Sequence, residues 1–171
     1  MINKARKLAE AAHRSIDQRR KYTNDPYIIH PASVAKLVSS VTDNVAMISA
    51  AWLHDVVEDT SVTLDEIRNE FGDEIADLVS DLTDVSKPED GNRKIRKATD
   101  REHTRLSSPE AKTIKLADLI DNASSIIEHD PGFARVFMEE KRLLLGILKE
   151  GDEVLYVMAE NIVKEYYDAK K

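Results

Sequence analysis

The sequence predicts an all-α protein. Three observations carry this reading. Apolar residues recur at helical spacing through most of the 171 residues. The five glycines and five prolines fall at the borders of those periodic stretches. No alternating apolar and polar pattern lasts beyond about four residues, so no half-buried strand is indicated. The first helix, Ile2 to Asp17, puts Ala5, Leu8, Ala12 and Ile16 on one side. A polar stretch, Arg19 to Asp25, follows and ends in Pro26. Pro31 fits the first position of a second helix reaching about Val41, with Val34, Leu37, Val38 and Val41 as its apolar face. Asp43 or Asn44 is placed to cap a third helix, Val45 to about Val57. That stretch, VAMISAAWLHDVV, is apolar nearly all round, which marks a central buried helix.

Thr63 and Glu66 have the spacing of a capping box, opening a short helix that Gly72 ends. Asp73 to Leu82 forms another. Asp84 to Asn92 is polar, contains Pro88 and Gly91, and reads as a mobile loop. Basic residues cluster just after it, at Arg93, Lys94, Arg96 and Lys97. Ser108-Pro109-Glu110 opens a long helix through about His129, which Asp130-Pro131-Gly132 breaks. Two more helices are expected, about Phe133–Leu148 and Glu153–Asp168. Trp52 is expected in the core, and Phe137, Tyr156, Tyr166 and Tyr167 in packing positions. No internal repeat is evident, and the length fits one domain over residues 1–171.

Composition narrows the chemistry. There is no cysteine, so disulfides and thiolate metal sites are excluded. The formal net charge is −7, which argues against a nucleic-acid binder and leaves a small anionic partner dependent on a metal or a local basic patch. Arg19-Arg20-Lys21 is a candidate for that patch. The charged N-terminus has no signal-peptide core, and no run approaches the roughly 18 apolar residues of a membrane span. A cytoplasmic protein is expected.

Three short stretches carry polar groups into apolar surroundings. They are PYIIHP with His30, HDVVEDT with His54, Asp55, Glu58 and Asp59, and KLADLIDN with Asp118 and Asn122. An ionised carboxylate at the end of the most apolar helix is costly unless something compensates it, and a divalent metal compensates it well. Glu58 is four residues beyond His54 and Asp59 four beyond Asp55, so on a helix each pair shares a face. Asn122 stands one turn beyond Asp118 in the same way. His30, His54, Asp55 and Asp118 make a mixed nitrogen and oxygen donor set suited to Mn²⁺, Fe²⁺, Co²⁺ or Zn²⁺, among which donor type does not choose. Such a metal lowers the pKa of a bound water and polarises a phosphoryl oxygen, leaving Glu58 and Asp59 for proton transfer. Plainer readings stand beside these. His54-Asp55 fits a helix-end ion pair, His30 a structural histidine, and Asp118 a buried partner of Lys115 or Arg20. His13, His103 and His129 read as surface or packing residues. The basic stretch Arg93–Arg105 reads as a solvated face, with a substrate clamp as the alternative.

Several motifs occur in order: QRRK (Gln18–Lys21), PYIIHP (Pro26–Pro31), AAWLHDVVEDT (Ala50–Thr60), LDEIRNEFGDEIADLVSDLT (Leu64–Thr83) and SSPEAKTIKLADLIDN (Ser107–Asn122). Together they resemble the HD hydrolase domain of the RelA/SpoT-homologue family, the small single-domain alarmone hydrolases in particular, from about Ala5 to Leu148. The resemblance implies a single-domain HD-type helical bundle. It implies a stringent-response activity, removal of the 3′-diphosphate of (p)ppGpp to give GDP or GTP plus pyrophosphate, with Mn²⁺ as the metal. It assigns His30, His54, Asp55 and Asp118 as metal ligands and Glu58 and Asp59 as the catalytic pair. Arg20 and Lys21 match the family's basic pair near the nucleotide, and Asn122 its ribose-contacting asparagine. The sequence departs from the family at Asp121, at Ser124-Ser125 and at Tyr22–Asp25, where base and ribose should sit. These departures leave (p)ppApp as an alternative substrate. Phosphatase action on another nucleotide such as NADPH is a second alternative, and a catalytically silent nucleotide-binding module a third. The expected partner is a small phosphorylated nucleotide, not nucleic acid or membrane, and the oligomeric state is open.

Overall fold

The computed structural model describes residues 1–171, whose regular structure is all helix, with no strand and one isolated bridge between Arg19 and Pro26. The all-α expectation is met. The chain divides into two compact units, residues 1–83 and 84–171. No helix is long and apolar enough to cross a membrane.

The first unit contains α1 (Ile2–Ser15), α2 (Ile29–Ser39), α3 (Val45–Leu53), α4 (Val56–Asp59), α5 (Leu64–Phe71) and α6 (Asp73–Leu82). Its centre is α3, against which α1, α2 and α6 pack. The residues explain this place: Ala46 to Ala51 and Leu53 are all buried, and the alanines and Ser49 let neighbouring helices approach from several sides. Asn44 caps α3 by accepting hydrogen bonds from the N–H groups of Ala46 and Met47, at 2.8 and 3.1 Å. The capping box at the head of α5 is formed. The Thr63 hydroxyl accepts from the Glu66 N–H, and the Glu66 carboxylate from the Thr63 N–H. Gly72 ends α5 at φ +87°, a conformation that suits glycine because it has no Cβ.

Two boundaries differ from the sequence reading. α2 begins at Ile29, so Pro31 lies within its first turn, where its missing N–H leaves no intrahelical bond unmade. The helix expected through Val57 divides at His54 and Asp55 into α3 and α4. The His54 ring then bonds the Ala51 carbonyl, one of the last carbonyls of α3.

The second unit contains a 3-10 turn (Pro88–Asp90) and then α7 (Arg93–Leu106), α8 (Pro109–His129), α9 (Pro131–Leu145) and α10 (Glu153–Asp168). α8, α9 and α10 pack pairwise. The loop expected over Asp84–Asn92 contains the 3-10 turn. It is anchored by Asp100, whose carboxylate accepts from the N–H groups of Val85 and Ser86 at 3.1 and 2.9 Å. The basic stretch forms a full helix, α7, which the sequence reading did not anticipate. Its few apolar residues, Ile95, Ala98 and Leu106, are exposed, and Asp100 and Thr104 are the residues it buries. The helix is instead supported by a cap, the Asn92 side chain accepting from the Ile95 N–H. Gly151, ahead of α10, lies against the α8 backbone. A Cβ there would meet the backbone of Lys112 and Thr113 at 3.1 Å.

Candidate metal centre

The first unit gathers three of the expected ligands. His30, from the first turn of α2, and His54 and Asp55, at the α3–α4 junction, converge. His54 Nε2 lies 3.2 Å from His30 Nε2 and 3.0 Å from Asp55 Oδ2, and His30 Nε2 lies 3.5 Å from the same oxygen. Both histidines are buried and Asp55 is half-buried.

The surroundings fix how these groups face. His54 Nδ1 is 2.8 Å from the Ala51 carbonyl. A carbonyl only accepts, so Nδ1 carries the proton and, in the neutral ring, Nε2 presents a lone pair to the cluster. Tyr27 donates its hydroxyl to Asp55 Oδ2 at 2.5 Å. The Tyr27 ring stands edge-on to His30 at 5.7 Å between centroids, and His30 edge-on to His54 at 5.1 Å. Each donor is held by a neighbour, as metal ligands commonly are.

The triangle fits a divalent cation. Donors about 2.1 Å from one ion stand about 3.0 Å apart at a right angle and about 3.4 Å apart at a tetrahedral one. The observed edges, 3.0 to 3.5 Å, span those values. Two imidazole nitrogens 3.2 Å apart, beside a carboxylate oxygen, need a proton or cation among them. Imidazole with carboxylate is a donor set for first-row divalent ions.

The expected catalytic pair lies next to this triangle on α4, where Glu58 and Asp59 are both on the exposed side. The Asp59 N–H still bonds the Asp55 carbonyl at 2.9 Å, so the i, i+4 relation survives the division of the helix. Gln18 donates its side-chain amide to Asp59 Oδ2 at 2.8 Å. Gln18 Oε1 in turn accepts from His13 Nδ1 at 2.7 Å. His13 is buried and its ring packs on Tyr27 at 4.8 Å. Burial around the Asp59 carboxyl holds it above the usual carboxylate value. The Gln18 amide opposes that shift, Asp55 adds to it, and His13 and His54 also oppose it.

Sequence reasoning took His13 for a surface or packing residue and gave Gln18 and Tyr27 no role. All three support the centre. The signal was available for Tyr27, since it stands three residues before His30 within PYIIHP. It was weaker for Gln18, whose partner Asp59 is 41 residues away.

Arg20 and Lys21 sit in the loop between α1 and α2. The Arg20 N–H bonds the Asp25 carbonyl at 2.8 Å, and the Tyr27 N–H bonds the Gln18 carbonyl at 3.1 Å. Arg20 is half-buried, and the exposed Lys21 holds its ammonium 4.9 Å from the Tyr22 ring centroid. In the second unit, Asp118 is buried on α8. Asn122 donates its side-chain amide to Asp118 Oδ1 at 2.7 Å, so the two share a face as their spacing requires. Lys115 Nζ is 3.9 Å from Asp118 Oδ2, so the pairing with Lys115 weighed for Asp118 is present.

A family model for the HD domain matches residues 5–142, the greater part of both units. The chain belongs to the HD domain family. Its relatives in that family include the guanosine-3′,5′-bis(diphosphate) 3′-pyrophosphohydrolase MESH1 of Mus musculus. That protein is 41% identical over 116 residues, covering 66% of this chain and 63% of the relative. The Drosophila melanogaster protein of the same name is 36% identical over 128 residues, covering 72% and 69%. The enzyme named guanosine-3′,5′-bis(diphosphate) 3′-pyrophosphohydrolase in Aquifex aeolicus (strain VF5) is 34% identical over 167 residues. There the match takes in 94% of this chain and 21% of the relative. The chain thus spans less than two thirds of the mouse protein and about a fifth of the Aquifex one. The solved structure of a metazoan orthologue of SpoT superposes with a TM-score of 0.86 at 27% identity, over 96% of this chain and 94% of that one. That orthologue is described as hydrolysing ppGpp and playing a role in starvation responses. In this HD domain, His30, His54 and Asp55 bring three donor atoms close enough together to hold a metal ion.

Proposed function

We propose that this HD-domain protein is a metal-dependent hydrolase that removes the 3′-diphosphate from an alarmone nucleotide. It converts (p)ppGpp to GDP or GTP plus pyrophosphate, and residues 1–171 work as one HD phosphohydrolase domain. The observation that carries the reading is the convergence of His30, His54 and Asp55 with edges of 3.0 to 3.5 Å, in a chain whose relatives bear that activity in their names. Asp118 is the fourth ligand in this reading, on the strength of the motif KLAD and of its burial on α8. The metal is Mn²⁺, and the protein works in the cytoplasm on a small nucleotide.

A bound divalent ion supplies Lewis acidity at the phosphoryl oxygens and an acidified water at neutral pH. The chain's own groups do the rest. Tyr27 and the Ala51 carbonyl hold the Asp55 and His54 donors in position. Glu58 and Asp59 position the attacking water and accept its proton, and Gln18 steadies the Asp59 carboxylate. Arg20 and Lys21 neutralise the substrate's phosphates, and Asn122 contacts the ribose.

The test is a Mn²⁺-supplemented assay comparing (p)ppGpp, (p)ppApp and NADPH. Pyrophosphate release from (p)ppGpp is expected. Pyrophosphate from (p)ppApp alone would move the base preference to adenine, the alternative left open by Asp121 and Ser124-Ser125, which depart from the family where the base should sit. Orthophosphate from NADPH alone would replace the reading. Asp118→Ala should lose metal and turnover together, whereas Glu58→Gln should keep metal and lose turnover by about a hundredfold or more. Full activity in both variants would refute the site assignment.

A further inference from the structure

Helix α10 packs on α8 and α9 but leaves one apolar face uncovered. Leu155, Ala159, Val163 and Tyr166 are buried. Val154, Val157 and Met158 lie elsewhere on the helix, with 59%, 46% and 40% of their surface exposed. Their i, i+3, i+4 spacing makes one stripe, and the exposed Asn161 extends it to two turns. Glu153 and Glu160, four residues before Val157 and three after it, border the stripe and make no ion pair. Apolar anchors at this spacing, with acid alongside, are the pattern of a helix that lies in a groove.

The second unit contains a groove of the opposite character. Its volume is about 770 Å³, and residues of α7 and α9 line it together with Tyr167 of α10. Val136 and Leu143, two turns apart on α9, supply apolar surface and are 45% and 41% exposed. The α7 wall is cationic, with Arg93, Lys94, Lys97 and Arg101, and Arg135 adds a fifth cation from α9.

Two of these cations are matched. Arg93 bonds Glu140 at 2.7 and 2.9 Å, and Lys97 Nζ is 2.6 Å from Asp84 Oδ2. Glu139, also in the lining, is taken by Arg142 at 2.7 and 2.8 Å and by the Tyr167 hydroxyl at 3.1 Å. Lys94, Arg101 and Arg135 make no ion pair. A chain of net charge −7 thus keeps three unmatched cations beside exposed apolar side chains.

We propose that this groove receives α10 of a second copy of the chain, giving a two-fold dimer. Each copy carries both surfaces, so a two-fold pair makes the contact twice. The lengths agree. Val154 to Asn161, Val136 to Leu143 and Lys94 to Arg101 each span seven residues, about 10 Å of helix. Val154, Val157 and Met158 cover Val136, Leu143 and the Tyr167 ring, while Glu153 and Glu160 reach the unmatched cations. A simple anion would satisfy the cations and leave Val136 and Leu143 in water. Two contacts of this size belong at the small end of specific interfaces, so a dissociation constant of about 1–100 µM is expected.

Sedimentation equilibrium on the full chain, from about 1 µM to about 1 mM, tests this. The parent should pass from monomer to dimer over that range, and raising salt from about 0.1 M to about 0.5 M should weaken the dimer several-fold. Two charge-reversed chains then identify the surfaces. Lys94→Glu with Arg135→Glu makes the groove acidic, and Glu153→Lys with Glu160→Lys makes the helix face basic. Each alone should stay monomeric, because like charges then meet. Mixed in equal amounts, they should form a heterodimer within about tenfold of the parent's affinity, since both contacts are restored in the opposite sense. Val157→Asp should weaken the parent dimer by more than about tenfold, by placing a charge in the apolar contact. All five positions are exposed, so the monomer's Tm should move by no more than about 3 °C. The dimer is refuted if the parent stays monomeric at about 1 mM, or if it grows beyond two copies. It is equally refuted if either charge-reversed chain dimerises as the parent does, or if their mixture stays monomeric. Association is read without substrate, so none of these results depends on the hydrolase reading.

Discussion

His13, Gln18 and Asp59 form a line of hydrogen bonds from the interior of α1 to the exposed side of α4. The Gln18 amide stabilises the ionised form of Asp59, against the burial that raises its pKa. In the proposed mechanism Asp59 must be ionised to accept a proton, so there the acid limb of the kcat/KM profile reports this balance. Gln18→Leu removes a lowering influence. The acid limb should therefore move to higher pH with the alkaline limb unchanged, which a pH–rate series on both proteins would show. The same shift governs stability with a definite sign. Folded Asp59 holds its proton more tightly than the unfolded chain does, so its contribution is full below the ordinary value of 3.8 and is lost as pH rises through the folded value. At this scale the sequence was informative about donors and poor at supports. His30, His54 and Asp55 were legible because charged and ring groups inside apolar motifs need a reason. Gln18 and His13 were not, because a hydrogen bond spanning 41 positions leaves no periodic trace.

Among the helices, legibility followed burial. α3 and α8 carry long apolar stretches, and the sequence placed both with only their ends shifted. α7 escaped because its residues are almost all charged or polar. It is held by the Asn92 cap and by ion pairs such as Arg93–Glu140, neither of which alters hydrophobic periodicity. The break between α3 and α4 escaped for the opposite reason. The apolar pattern runs on through Val56 and Val57 while the backbone turns aside at His54 and Asp55. The approach of α10 to α8 gives a prediction at this level. Gly151 meets the backbone of Lys112 and Thr113 too closely for a Cβ, and the neighbouring Asp152 N–H bonds the Thr113 hydroxyl at 2.9 Å. Gly151→Ala should lower stability by about 1–3 kcal/mol, measured by urea denaturation, since the fully buried Leu116 side chain, 2.8 Å from the added Cβ, and the α8 backbone must both give way.

For the molecule as a whole, the proposed metal would be a ligand of the native state, and its removal should show in both activity and stability. Chelation should abolish turnover. Relative to ion at about a hundred times its Kd, it should lower stability by about 3 kcal/mol, roughly 5–10 °C in Tm. Circular dichroism melts with EDTA and with restored Mn²⁺ would test this, and helicity at 25 °C should be unaffected, because both units have apolar cores of their own. The family match from residue 5 to 142 takes in residues of both units. The Tyr27 hydroxyl and the Ala51 carbonyl have a further consequence. They anchor Asp55 and His54 through contacts made by the polypeptide alone. An arriving ion therefore meets a seat already shaped and has little ordering left to do. Replacing one transition element by another should leave the backbone undisturbed, so the occupant in a living cell would follow supply and relative affinity.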